Sequence, residues 1–269
     1  MKEMKSRLQV LCVAMSQNDL TLVEKLNVSS DLIIANQSDS NDLIEKIYPW
    51  GTVKMVSTNI RGVGKNRNTA FLYAEDEILL LSDDDMHYSD SYVDDILTEF
   101  DKHQDADVII FNITSSDPKR TQKQNFTTKQ LHRFSRLPYG GPRIAIRKSS
   151  WEKSNVWFTT LFGGGAKYTN GEDSLFLADL RKKGLVMYVS KVNIGTVNMD
   201  ESSWFKGTNE EFYFNKGALC AAAFPKTKYL RMIYFALRLK SSLRFYERIN
   251  WFYKGINAYR MHASFAEEV

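Results

Sequence analysis

The sequence predicts an α/β fold built on a mixed, mainly parallel sheet flanked by helices. Short apolar runs alternate with helix-like segments over the first 115 residues, and the alternation returns over residues 139–200. Strands that alternate with helices pair in parallel through right-handed crossovers. The chain has 269 residues, 43% of them hydrophobic and 25% charged, which suffices for a full core and excludes wholesale disorder.

Local patterns predict the individual elements. Strands are predicted where apolar runs end in polar residues, at 7–15, 31–36, 53–57, 77–81, 107–113 and 185–190. Helices are predicted where apolar residues recur at helical spacing, at 18–26, 65–75, 89–102 and 172–183. Residues 115–138 are polar and basic, so we expect them to form an excursion on the surface.

Cysteine usage and hydropathy predict a cytoplasmic protein. Cys12 and Cys220 each lie in an apolar segment and cannot form a disulfide framework, which is typical of buried thiols in a reducing compartment. The N-terminal segment is interpreted as the first strand rather than a signal peptide, because its apolar part is short and interrupted by Gln9. The sequence has no run of about 18 apolar residues that could span a bilayer.

The strongest local signal is LLLSDDDMHY, in which Asp83, Asp84 and Asp85 follow an apolar strand. Adjacent carboxylates repel one another unless a positive charge neutralises them. Ligands of such sheets bind beyond the carboxyl ends of the strands, where this cluster is expected. Its oxygen ligands suit Mg²⁺ or Mn²⁺ bridging to a substrate diphosphate. The alternative interpretation is a solvated acidic loop or a helix cap.

A second signal, RGVGKNRNTAFLYA, precedes the acidic cluster and opens a predicted helix. Gly62 and Gly64 free the backbone there, and Lys65 and Arg67 bring positive charge to the helix start. Backbone amides, a helix dipole and two cations together suit a phosphate group. The alternative is an ordinary helix start with exposed basic side chains.

A third signal is LFGGGAKYTNGEDSLFLADLRKKGL. Gly163, Gly164 and Gly165 predict a flexible loop, and Glu172 and Asp173 follow at the start of a predicted helix. One interpretation is a general base beside a mobile loop that contacts the acceptor. The other is plain helix capping, since acidic side chains stabilise a helix N-terminus.

Taken in order, these segments resemble family 2 glycosyltransferases over about residues 7–200. The resemblance implies the GT-A fold, an α/β sheet that binds nucleotide sugars. In that family, residues at the end of the second strand hold the uracil base. Asn36 and Asp39 in IIANQSD are the candidates for that contact in this chain.

The resemblance also implies roles in donor and metal binding. Lys65, Arg67 and Asn68 are expected to bind the donor, the last two matching an Arg-Asn pair that opens a helix in the family. The three aspartates match its Asp-x-Asp element, in which the last Asp usually binds the metal. We therefore expect Asp85 and Asp83 to hold Mn²⁺ or Mg²⁺, and Asp83 and Asp84 to face the donor.

The catalytic pair follows from the same resemblance. Glu172 and Asp173, followed by a helix with Arg181 and Gly184, match a Glu-Asp pair whose Asp is usually the catalytic base. The implied reaction moves a hexose from a nucleoside diphosphate sugar, expected to be a UDP-sugar, to a saccharide or lipid-linked saccharide with inversion. The stretch 201–218 resembles bacterial polysaccharide-assembly members, which implies surface polysaccharide or capsule synthesis, and the alternative interpretation is a packed Trp204 with turns around it.

Three other functional classes are alternatives to a glycosyltransferase. A nucleotidyltransferase would carry a Gly-rich loop after the first strand, and the loop AMSQNDL has no glycine. A sugar-binding or scaffold protein that kept the fold without the activity is opposed by the intact acidic cluster and Glu-Asp pair. A nucleic-acid-binding module has only the basic C-terminal residues in its favour, and no RNA-binding motif is present, so we expect no nucleic-acid partner.

The C-terminal sequence differs in charge from the rest. Residues 225–262 contain nine basic residues and one acidic residue, whereas residues 1–224 contain 27 basic and 29 acidic ones. We therefore expect a catalytic domain over 1–224 and a basic, aromatic helical extension over 225–269. Such a segment suits an anionic membrane surface and predicts peripheral attachment to the inner face of the cell membrane.

The alternative for the extension is packing on the catalytic domain. Its second predicted helix places Phe245, Ile249, Phe252 and Ile256 on one face, and this face could bind either the domain or a membrane. Both can hold at once.

Overall fold

The computed structural model describes residues 7–118, 120–133, 135–198 and 207–261. Within these residues ten strands form one sheet. The strands are β1 (Leu8–Met15), β2 (Asp31–Gln37), β3 (Asp42–Tyr48), β4 (Gly51–Thr58), β5 (Ile78–Asp83), β6 (Met86–Tyr88), β7 (Val108–Ser115), β8 (Lys129–Gln130), β9 (Ile144–Arg147) and β10 (Met187–Val197). Their order is β3-β4-β2-β1-β5-β9-β7-β10-β6, with β8 paired to β10.

Helices cover both faces of the sheet and continue beyond it. They are α1 (Leu22–Leu26), α2 (Val63–Leu72), α3 (Tyr92–Lys102), α4 (Lys148–Ser154), α5 (Glu172–Lys182), α6 (Glu210–Ala223), α7 (Lys228–Arg238) and α8 (Phe245–Met261). One apolar core packs α1 and α3 against the sheet, and a second packs α2, α4 and α5 against the opposite face.

The burial of the central strands explains why the sequence pattern predicted them. β4, β2, β1 and β5 are parallel neighbours buried on both faces, so each appears in the sequence as a short continuous apolar run. The carboxyl ends of these strands therefore meet at one edge of the sheet. The predicted α/β fold with a mixed sheet and flanking helices is confirmed.

The antiparallel strands were not predicted individually. β3 is an edge strand whose residues are exposed or half-buried, so it has no apolar run, and β6 is only three residues long. β9 lies antiparallel between β5 and β7, and β10 extends to Val197, well past the predicted end at 190. The excursion over 115–138 contains β8 and is otherwise irregular in its described residues.

The C-terminal helices pack on one another and on the sheet domain. Gly217 of α6 and Gly255 of α8 allow the two helix backbones to touch, because a Cβ on either glycine would overlap a carbonyl oxygen of the other helix. Phe252 and Ile256 of α8 are fully buried, so much of the apolar helix face that the spacing predicted packs inside the protein. The domain division at 224 stays a prediction, and α6 contacts α8 across it. None of the described helices is both long and apolar enough to cross a bilayer.

Candidate active site

Arg67 joins two acidic segments at the carboxyl edge of the sheet. Its Nη2 donates a hydrogen bond to Oδ1 of Asp83, the last residue of β5, at 2.8 Å. Its Nε lies 3.5 Å from Oδ1 of Asp173, in the first turn of α5. A single guanidinium on α2 therefore connects the acidic cluster to the Glu-Asp pair, although 90 residues separate these motifs.

Packing fixes this guanidinium in place. Arg67 is buried and lies over the ring of Phe158, 5.4 Å from its centroid, and Phe158 stacks on Phe176 at 4.0 Å. Burial by itself would lower the pKa of Arg67, but the charges of Asp83, Asp173 and Glu172 outweigh it and raise that pKa. The side chain is therefore a permanent cation that the core holds at the site.

Asp173 and Glu172 begin α5 and share a confined space. Oδ2 of Asp173 accepts a hydrogen bond from the Gly141 amide at 2.8 Å, while its Oδ1 faces Arg67. Burial raises the pKa of Asp173. Burial and, second, the charge of Asp173 raise the pKa of Glu172 to about 7. A carboxyl group that titrates near neutral pH is suited to proton transfer.

The turn after β5 holds the predicted metal ligands. Burial first, and then the charges of Asp83 and Asp84, raise the pKa of Asp85 to about 7, and burial also raises that of Asp84. Oδ1 of Asp85 is buried and makes no hydrogen bond within the described part of the chain. An orphaned carboxylate oxygen beside two further carboxylates fits a divalent cation.

The protein side chains alone do not complete a metal site. In the described residues no group of three or more His, Cys, Asp or Glu side chains converges as a metal-binding cluster. Mg²⁺ is commonly held by one or two carboxylates together with substrate phosphates. Asp85 and Asp83 could therefore hold a cation only with ligands that a bound diphosphate and water supply.

The start of α2 is only partly available to a phosphate. The Gly62 amide donates to Oε1 of Gln37, and the Val63 amide donates to the carbonyl of Gly164, so two amides are already paired. Lys65 is exposed at the first turn and stays a candidate donor contact.

Asn68 has a different role from the one expected. Its side chain donates to the carbonyl and accepts from the amide of Phe158, each at 2.9 Å. Asn68 therefore holds the backbone of Phe158, whose ring packs against Arg67. Both the amide nitrogen and the oxygen of the Asn68 side chain take part in these hydrogen bonds. Asn68 thus helps to position the site, and its expected contact with the donor stays a prediction.

Asn36 is also engaged within the protein. It is fully buried, its Nδ2 donates to the Gln17 carbonyl and to Ser57 Oγ, and its Oδ1 accepts from the Gln17 amide. These three hydrogen bonds hold β2 against β4 and the segment after β1, and the base contact expected of Asn36 stays a prediction. Asp39 is exposed and forms an ion pair with Arg61, and it stays a candidate.

The glycine loop is docked rather than free. Gly163 and Gly164 are buried, and Gly164 accepts the Val63 amide hydrogen bond at 2.8 Å. A Cβ on Gly163, whose φ is +103°, would overlap Val63 and lie 2.9 Å from Cδ of Glu172. These glycines permit close approach to α2 and α5, so the expectation of a flexible loop is corrected for them. Gly165 is exposed.

Sequence reasoning missed several residues that build the site. Gly141 supplies the amide for Asp173, and a Cβ on it would overlap the Arg67 guanidinium. Phe158 and Gln37 were also missed, because only long-range contacts reveal their roles. The one available signal was the pair Gly140-Gly141, which marks a close backbone approach. Part of the stretch 201–218, residues 201–206 with Trp204, lies outside the described residues.

Comparisons with known proteins bear on the family and the fold of the chain. Residues 31–159 match glycosyl transferase family 2. No curated protein matches the chain in sequence. Among solved structures, the chain is similar to S. aureus TarS 1-349 in complex with UDP-GlcNAc, with a TM-score of 0.62 and 15% identity over 96% of this chain and 93% of that one.

Two further structures of the same S. aureus protein are similar. TarS 1-349 in complex with UDP matches with a TM-score of 0.59 and 15% identity, over 96% of this chain and 93% of that one. The TarS structure matches with a TM-score of 0.56 and 15% identity, over 97% of this chain and 44% of that one. At this identity the likeness establishes the fold, which is the predicted GT-A fold. Together with the match of residues 31–159 to the family 2 model, this fold confirms the predicted enzyme class, a glycosyltransferase.

Proposed function

We propose that the chain transfers a hexose from a UDP-sugar to a hydroxyl of a saccharide or lipid-linked saccharide, with inversion at the anomeric carbon. The observation that carries this proposal is the Arg67 bridge, because one cation contacts both Asp83, at the turn after β5, and Asp173. Support for the donor comes from TarS, whose structures with UDP and UDP-GlcNAc share the fold.

The donor diphosphate is assigned to the turn after β5. Asp85 and Asp83 would hold Mn²⁺ or Mg²⁺, which would neutralise charge that builds on the departing diphosphate. Lys65, at the exposed first turn of α2, would contact a phosphate, and Asp39 would approach the base beyond β2. Asp84, partly buried beside Asp83, would face the donor.

Asp173 is assigned the role of general base. Its Oδ1 has no hydrogen-bond partner among the described residues, and Oδ2 is fixed by the Gly141 amide. Oδ1 lies 3.5 Å from Arg67 Nε, and this carboxylate would take the acceptor proton while the hydroxyl oxygen attacks the anomeric carbon. Glu172 would tune this group and orient the acceptor beside Gly163. A single displacement with inversion needs no enzyme nucleophile.

The acceptor and the pathway are part of the same proposal. Surface polysaccharide or capsule synthesis fits a lipid-linked acceptor, and the basic extension would bring the enzyme to the membrane that carries it. The division into a catalytic domain over 1–224 and an extension over 225–269 belongs to this proposal. Residues 262–269 of that extension lie outside the described residues.

Thermal shift with nucleotides tests the donor and metal assignments. UDP and UDP-sugars with Mn²⁺ should raise the melting temperature more than ADP or GDP do, and Asp85→Ala should lose the part of the shift that needs Mn²⁺. Asp94→Ala, on the exposed surface of α3, is the control and should behave as the wild type. An equal shift with EDTA in place of Mn²⁺ would show that the metal assignment is wrong.

A further inference from the structure

Helix α7 has two apolar faces, and the protein covers only one of them. Met232, Phe235 and Ala236 face inward, where Phe235 stacks on Phe252 of α8 and Ala236 is fully buried. Leu230 and Leu237 face outward and are 70% and 68% exposed. Soluble surfaces rarely leave such large apolar side chains open along one helix face.

The outward residues form a continuous strip. Leu230, Ile233, Tyr234 and Leu237 are all exposed, and their spacing of three and four residues places them on one side of the helix. We call these four residues the α7 strip. The strip runs from Leu230 to Leu237 in a helix that extends from Lys228 to Arg238, so it spans nearly the whole length of α7.

Positive charge surrounds the strip. Residues 225–244 contain six basic residues and no acidic one. Arg238 lies on one border of the strip, and Lys240 and Arg244, also exposed, follow the helix. Arg231, on the same border, is half-buried with its guanidinium over the Phe224 ring. Arg136, from the surface excursion, adds a further charge, since its Nη2 hydrogen-bonds to the Tyr234 hydroxyl at 3.4 Å.

We propose that the α7 strip inserts into the interface of an anionic lipid bilayer, with the surrounding basic side chains on the lipid headgroups. This deepens the proposed membrane association and rests on it, because it names the helix and the face that make contact. An apolar strip with a basic border is the pattern of a helix that lies in the interface plane. Net positive charge across the whole patch distinguishes it from a face that would pair with a second copy.

Helix α8, the other helix of the extension, attaches α7 to the rest of the protein and does not form the proposed membrane contact. Phe252 and Ile256 of α8 are buried against α6, so this part of the helix is closed to lipid, and only Phe245 at its start is exposed on the same face. The rings of Tyr259 and Phe162 lie 5.9 Å apart, and Phe162 directly precedes Gly163. Helix α8 therefore contacts the segment that leads into the glycine loop. Binding of α7 to a bilayer would then fix the acceptor side of the site relative to the membrane.

Sedimentation with lipid vesicles tests the proposal on the full chain. The wild type should bind phosphatidylcholine vesicles that contain phosphatidylglycerol and should bind pure phosphatidylcholine much more weakly. Replacing Leu230, Ile233 and Leu237 by Gln should abolish binding to the anionic vesicles. The matched control replaces Leu43 and Ile47 of β3, which are 53% and 79% exposed, by Gln and should bind as the wild type.

A charge variant tests the border independently of the strip. Arg238→Gln with Lys240→Gln should weaken binding to anionic vesicles by about fivefold for each charge removed, since a basic side chain near such a surface contributes about 1 kcal/mol. Lys182→Gln with Lys183→Gln on α5 is the matched control and should leave binding unchanged. Circular dichroism should give every variant the melting curve of the wild type.

Several results would overturn the proposal. These are equal binding to neutral and anionic vesicles, no binding by the wild type, unchanged binding by the Gln variant of the strip, or a strip-dependent dimer without lipid binding. UDP release from a UDP-sugar without acceptor, measured in solution, should be the same in the wild type and strip variants. No UDP release by the wild type when saccharide acceptors are present would overturn the proposed function, whereas loss of vesicle binding alone would overturn only the docking face.

Discussion

Arg67 carries the residue-scale account of the site. Its guanidinium is buried over Phe158 and faces carboxylates from β5 and from α5, so it balances charge where two acidic motifs meet. A planar guanidinium can direct several hydrogen-bond donors at once, which a lysine ammonium on a flexible stem cannot reproduce. We therefore interpret Arg67 as a positioning residue that sets the distance between donor and base.

Arg67→Lys should keep the charge and lose the geometry. We expect a loss of about 1–2 kcal/mol in the free energy of unfolding. Turnover should fall on the order of 10²-fold, because a small displacement of reacting groups is costly. Urea unfolding and initial rates of UDP release measure the two effects.

Arg147→Lys is the matched control for that prediction. Arg147 also pairs with a carboxylate, at 2.9 Å from Glu77, and lies over a Phe ring, 4.9 Å from the centroid of Phe100. Its replacement should lower stability without changing the rate per folded molecule. Equal loss of rate in the two variants would contradict a specific role for Arg67.

Glu172 should make stability depend on pH. Its pKa is raised by burial and by Asp173 to about 7, so the folded state binds a proton that the unfolded state has already released at mildly acidic pH. This contribution is fully present below the ordinary range for Glu and is lost as pH rises through about 7.

The melting temperature of the nucleotide-free protein should therefore fall between about pH 5 and pH 8. Glu172→Gln should make this fall shallower without abolishing it, because the pKa of Asp85 is also raised to about 7, whereas Glu24→Gln, which removes an exposed carboxyl group of α1, should leave its slope unchanged. A slope that stays the same in Glu172→Gln would show that another group is responsible.

Element-scale contacts bring the glycine loop against α2 and α5. Gly164 accepts a hydrogen bond from the first residue of α2, and Gly163 lies where any side chain would meet Val63 and Glu172. These contacts explain why glycines are needed at a place where the chain is not free to move. The same loop borders the catalytic pair, so its packing and the geometry of α5 are coupled.

Gly163→Ala should lower both stability and activity. A Cβ there combines a left-handed backbone, which costs about 1–2 kcal/mol, with overlap against Val63 and pressure on Glu172. Gly184→Ala is the matched control, since its φ is +88° but nothing lies within 4 Å of the added Cβ. Differential scanning calorimetry and UDP release should show backbone strain in both variants and loss of activity only in Gly163→Ala.

The elements that could be predicted from sequence are those whose information is local. Asp83 follows an apolar run and Glu172 opens a periodic segment, so their places at a strand end and a helix start were readable. The structural hydrogen bonds of Asn36 and Asn68 could not be predicted, because an amide side chain looks the same in sequence whether it binds a ligand or its own backbone. Only the fold reveals that Gln17 and Phe158 already occupy them.

At the scale of the whole molecule, α6 joins the sheet domain to the C-terminal helices. Tyr213 and Phe214 of α6 are fully buried, and they lie in clusters that contain residues of α8. Leu219 of α6 also packs close to Gly171, the residue before the catalytic pair. The extension therefore supports the site through packing, whatever surface α7 binds.

A chain ended at residue 224 should be poorly soluble. Removal of α8 would expose the apolar face of α6, and a large exposed apolar patch promotes aggregation. Light scattering of the truncated and full chains measures this effect. A monomeric truncated chain with the melting temperature of the full chain would instead support an independent domain over 1–224.

The composition of the extension over 225–269 predicted its basic, aromatic and helical character. It did not predict which helix faces are buried. Spacing placed Phe252 and Ile256 on one helix face, and it could not reveal that α6 covers them. The face of α7 that remains open follows only from the packing of Phe235 and Ala236. A helix with two apolar faces has no unique inside until its neighbours are known.

Sugar transfer by Asp173→Asn tests the central claim most directly. UDP release from UDP-sugars with saccharide acceptors and Mn²⁺ should fall by at least about 10²-fold in this variant, as expected for loss of a general base, while UDP binding is retained. Asp179→Asn, on the same helix and paired only with exposed Lys182 in the described structure, should keep the wild-type rate. Wild-type turnover by Asp173→Asn would contradict the account.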